Sequence, residues 1–128
     1  MTVVARKVDS KAGLERFIRL WFKHVAVILP VARSIEAAAS SDADARAAWD
    51  DRMEELRKNM RTIVDCLSQA AQLAGHWTRE DATDWFWSRA HIDVWSHLVA
   101  DRRWPPEQAV RRVTESLWAD LVDTNRGH

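Results

Sequence analysis

His91 has a tryptophan one helical turn away on either side, Trp87 and Trp95, with Arg89 and Asp93 close by. An apolar wall carrying a few placed polar groups is the chemistry of a small-molecule pocket. The same row serves equally well as plain core or as a dimer contact, with His91 a hydrogen-bonded core histidine. Asp93 and His97 stand one turn apart, close enough to share a proton. A metal centre needs three or four ligands, and no Cys or further His has matching spacing, so no metal is expected. The pair reads instead as a helix-face hydrogen bond or a dimer contact. Arg33 and Glu36 read as a surface ion pair.

Catalytic signals are missing. There is no phosphate-binding glycine loop and no nucleophile elbow. Cys66 sits mid-helix beside Leu67 and Asp65, the setting of an inert packing thiol. Adjacent carboxylates, Asp50-Asp51 and Glu54-Glu55, most simply solvate a helix face. No enzymatic activity and no cofactor is expected.

The elements that must position these residues are helices. Ser10 suits an N-cap, and Leu14, Phe17, Ile18, Trp21, Phe22, Val25, Ile28 and Leu29 follow at steps of three and four. Pro30 is expected to end or kink that helix, with a short helical piece over 31–39. Ser40-Ser41-Asp42 reads as a turn capping the next and longest helix. Its seam is Trp49, Met53, Leu56, Met60, Ile63, Leu67, Ala70 and Ala74, a heptad pattern that wants a helix alongside. Gly75 occupies a left-handed C-cap position. Thr78 with Asp81 opens a helix that the pattern carries unbroken to about Asp101. Trp104 and two prolines make a corner, Pro106 starts the last helix, and Ala109, Val110, Val113, Leu117, Trp118, Leu121 and Val122 run along it. That apolar spread is wide enough to predict burial on two sides, by the chain's own core and by a second copy.

These elements give an all-α, antiparallel bundle of about five helices: 1–9 as lead-in, 10–123 as one helical domain, 124–128 as tail. The 128-residue length supports one core. The formal net charge is zero, which leaves no electrostatic footprint for nucleic acid. One cysteine excludes an internal disulfide and suits a reducing cytoplasm. No apolar run is long enough to span a bilayer or to serve as a signal peptide. Eight tryptophans are the unusual feature, each with large apolar area and an N–H to satisfy.

From Thr78 onward the order Glu80, Ala82, Phe86-Trp87, Leu98-Val99, Arg102-Arg103-Trp104, Pro106-Glu107 resembles the carboxy-terminal half of TetR-family bacterial transcriptional regulators. Two departures stand out. Arg103 replaces the family's corner glycine, so a different backbone turn is expected, and the segment 89–93 is more polar than usual and lacks a proline often found there. The resemblance implies a cytoplasmic effector-sensing and homodimerisation domain, without catalytic residues, that binds a small apolar or aromatic molecule inside the bundle. Pocket residues would be Phe22, Val25, Ile28, Trp49, Met53, Met60, Trp87, His91 and Trp95. The last two helices would pair with their symmetry mates through Phe86, Asp93, His97, Val113, Leu117, Trp118 and Leu121. DNA would be read only by a helix-turn-helix not present in this chain, since about nine residues before the first helix are too few for one. The alternative reading is a stand-alone, DNA-free relative that sequesters a small molecule or forms mixed dimers with a full-length regulator.

Overall fold

The computed structural model describes residues 8–122. Four long helices carry the fold: α1 (Lys11–Ala39), α2 (Ala43–Gln69), α3 (Arg79–Ala90) and α5 (Pro106–Leu121), with a one-turn α4 (Ile92–Trp95) that runs into a π-helical stretch, Ser96–Asp101. α1 is the longest, at 29 residues against 27 for α2. The architecture is all-helical among the described residues, and the only strand-like contact is an isolated antiparallel bridge between Leu73 and Val122.

The helix starts follow local chemistry. The Gly13 N–H donates to Ser10 Oγ at 3.0 Å, the Asp44 N–H to Asp42 Oδ1 at 2.9 Å, and the Asp81 N–H to Thr78 Oγ1 at 3.0 Å. Each satisfies a backbone donor that the first helical turn leaves without a partner. Pro106 opens α5, where its missing N–H is not needed.

Pro30 does not end α1: one helix runs through it. Pro30 and Ala26 are both exposed, which lets water reach the carbonyl that loses its usual N–H partner. Gly75 does not cap α2 either. That helix closes earlier, the Ala70 N–H donating to Cys66 O, and Ala71 takes the left-handed turn at φ 56°. The predicted unbroken helix to Asp101 is interrupted at His91, whose ψ of 153° is extended. At the corner, Arg103 takes φ 59°, the left-handed region glycine fills without strain. The corner therefore makes its left-handed turn with an arginine.

The core lies where α1, α2, α3 and α5 meet. Leu14, Ile18, Val25, Met60, Ile63, Phe86 and Leu117 are among its fully buried members. All buried residues of α1 lie between Gly13 and Val25, and all those of α2 between Leu56 and Leu67. From 26 to 55 no residue is fully buried. The α1–α2 hairpin therefore extends past the bundle, its tip packed helix against helix and covered by little else.

Most of the apolar arc of α5 is covered within the chain, while Trp118 stays half-buried. Ala109, Val110, Val113, Thr114, Leu117 and Leu121 are all buried within the chain itself, while Arg111, Arg112, Glu115, Ser116 and Ala119 face solvent. α1 and α3 cover its apolar arc.

Candidate ligand groove between α1 and α2

The projecting hairpin opens a groove of about 340 Å³ between its two helices. Its floor is apolar: Trp21, Ile28 and Ala32 from α1, Trp49, Met53 and Leu56 from α2, and Ile92 from α4. Val27 and Val31 form one lip and are 78% and 63% exposed, among the most exposed large apolar side chains described. His24, Arg52 and Glu55 bring polar groups to the rim.

The break at His91 shapes the inner end of this groove. The buried Trp21 indole N–H donates to Ala90 O at 2.6 Å, taking the last carbonyl of α3 where that helix stops. The chain turns at His91, and its Nδ1 accepts from the Asp93 N–H at 3.1 Å, capping α4. In that role the imidazole is neutral. Burial pushes its pKa down and outweighs the nearby Asp93 and Glu36 carboxylates, which raise it. The turn sets Ile92, 1% exposed, against the groove floor. Arg33 then ties the hairpin tip to α4 through Asp93 at 2.9 Å, while also pairing with Glu36 at 2.9 Å.

At the rim, His24 is half-buried and its pKa is lowered, first by burial and further by the positive charge of Arg52 on the facing helix. Glu55 lies one turn from Arg52 and is not among the charges that bear on His24. Among the described residues, Arg52 has no carboxylate within 4.0 Å. Arg33, Arg57 and Arg19, by contrast, each bind two.

Of the predicted pocket residues, Ile28, Trp49 and Met53 line the groove. Trp87 and His91 meet Trp49 instead at a second, more open depression, with Glu36, Asp93 and His97. There Trp87 and His91 pack edge to face at 4.5 Å, and the buried Trp87 N–H has no acceptor. Phe22, Val25 and Met60 lie in the core, at 2%, 0% and 0% exposure, and line neither cavity. Trp95 is half-buried against the core and also lines neither. Trp21, His24, Arg52 and Ile92 were not predicted as site residues. A usable signal was the excess of apolar residues on α1, where Leu20, Val27 and Val31 lie outside the core stripe.

The predicted dimer residues are dispersed. Phe86, Val113, Leu117 and Leu121 belong to the core of the single chain, at 7% exposure or less, and have almost no surface left for a partner. Asp93 and His97 do not pair. Asp93 is held by Arg33 and lies 3.3 Å from His91 Nδ1, and His97 Nδ1 is 3.4 Å from Asp101 Oδ2. Trp118 is half-buried and His97 exposed, so these two retain accessible surface. Among the described residues no group of three metal-ligating side chains converges, and no helix is long and apolar enough to cross a membrane.

No protein-family model matches the chain, and neither a curated protein nor a solved structure does.

Proposed function

We propose that the chain is the effector-sensing and dimerisation domain of a TetR-like transcriptional regulator, and that the α1–α2 groove receives a small apolar or aromatic molecule. The observation that carries this reading is the uncovered hairpin tip. An apolar floor of three-hundred-odd cubic ångströms with exposed valine lips has the size and lining of small-molecule sites. A ligand there removes that surface from water at about 25 cal/mol per Å².

The site is also placed to report its occupancy. A molecule on the floor touches Ile92, one residue past the break at which α3 gives way to α4. It thereby favours one packing of the hairpin against the last three helices over another, which is how an effector shifts a two-state equilibrium. Homodimerisation, in this reading, uses the last two helices around Trp118 and His97, and DNA is contacted by a module outside this chain.

A fluorescence titration with Nile red, a neutral apolar dye, tests the groove. The expected result is saturable micromolar binding that Ala32→Trp abolishes, because the new ring fills the floor while the fold melts as before. A dye that does not bind, or that binds the filled variant equally well, overturns the assignment.

A further inference from the structure

We propose that the groove selects a monoanionic amphiphile, an alkyl or aryl carboxylate whose head group is held at the rim by Arg52 and His24. This rests on the groove being a ligand site and adds the class of ligand.

The argument begins with what Arg52 lacks. The neighbouring arginines on α1 and α2 are absorbed by acidic partners: Arg57 by Glu80 and Asp84 at 2.7 and 2.8 Å, Arg33 by Glu36 and Asp93 at 2.9 Å each. Arg52 lines the groove, and no described carboxylate lies within 4.0 Å of it. His24 on α1 lines the same groove, and the charge of Arg52 bears on it. Glu55 is the competing charge on that rim. It stands one turn further along α2 and does not bear on His24. The rim thus carries a guanidinium that no described carboxylate meets within 4.0 Å, together with the His24 imidazole.

Chemistry then limits the ligand. A guanidinium offers a planar fork that matches a carboxylate through two parallel N–H donors. His24, kept neutral by burial, adds a further N–H donor. Below them the lining is mainly apolar, with Trp21, Ile28, Met53 and Leu56, and its one further polar side chain, Asn59, is an uncharged amide. A molecule satisfying both ends has one anionic head and an uncharged apolar body. A second charge carried down into the apolar body of the groove would be buried there without a partner.

Three ligands of one chain length, decanoate, decanol and decylamine, separate the parts of the claim. Each is titrated below its aggregation limit by isothermal calorimetry at pH 7.5. Decanoate is expected to bind about tenfold tighter than decanol, with decylamine weakest. Arg52→Gln should bring decanoate down to the affinity of decanol and leave decanol unchanged. Arg112→Gln, which removes the same charge from the outer face of α5, should change neither. Equal affinity for acid and alcohol, a preference for the amine, or the same loss from Arg112→Gln each overturns the head-group assignment while decanol still reports an intact groove. If decanol fails to bind as well, the groove reading itself falls.

Discussion

Trp21 and Trp87 show at the residue scale how differently one side chain is used twice in the same fold. Trp21 is 6% exposed, and its N–H reaches Ala90 O at 2.6 Å. Trp87 has its N–H buried with no acceptor. Removing a satisfied donor leaves the Ala90 carbonyl without its partner in the core, at a cost of about 1–3 kcal/mol before any cavity is counted. Removing an unsatisfied donor costs nothing on that account. Trp21→Phe is therefore expected to lower stability by about 2–4 kcal/mol in urea unfolding, and Trp87→Phe by less than about 1 kcal/mol. Equal losses would mean that the Trp87 N–H has a partner after all. Trp77 and Trp85 follow the Trp21 pattern: both indoles donate to Asp120, to its backbone oxygen at 2.7 Å and to its carboxylate at 2.9 Å. Arg89 also stacks over Trp85 at 4.1 Å. These two tryptophans clamp the α2–α3 connection and α3 to the end of α5.

At the scale of elements, periodicity and capping made most of the fold legible in the sequence. Ser10, Asp42, Thr78 and Pro106 mark helix starts because their side chains or rings solve a local backbone problem, independent of the rest of the chain. What stayed hidden depends on tertiary context. Whether a proline ends a helix depends on whether water can reach the carbonyl it strands, and Pro30 lies on an exposed stretch of α1. The break at His91 carries no glycine or proline, and the Trp21 and His91 hydrogen bonds that hold it come from elsewhere in the fold or depend on the turn itself. Most of the wide apolar arc of α5 is covered by α1 and α3 within one chain, with Trp118 left half-buried. That coverage has a direct test. Leu117 is fully buried, so Leu117→Asp places a charge in the core, at a cost of several kcal/mol. The expected outcome is loss of cooperative melting by circular dichroism at every protein concentration. A variant that stays folded and only dissociates would return Leu117 to a subunit interface.

For the whole molecule, the unequal burial along α1 and α2 means that two continuous helices have stable and unstable halves. The residues from Gly13 to Val25 and from Leu56 to Leu67 supply the core contacts, whereas 26–55 has no fully buried side chain. Helical hydrogen bonds without tertiary packing open readily, because isolated helices of this length are marginal in water. The Arg33 pairs with Glu36 and Asp93 add little at the surface, about 1 kcal/mol at most. The groove therefore spans from the core at Trp21, Leu56 and Ile92 into the part of the hairpin with the least to hold it, which is where a ligand's binding energy can change the structure most. Native-state hydrogen exchange by mass spectrometry should show peptides from 26–55 exchanging faster than the remainder of the same two helices. Saturation with a groove ligand should slow exchange around 28–35 and 49–56, and leave peptides from α5 unchanged. Uniform protection of α1 and α2 in the free protein would mean that the tip is already covered. Dilution then identifies the cover: protection that fades with falling concentration assigns the tip to a second copy of the chain rather than to a small molecule.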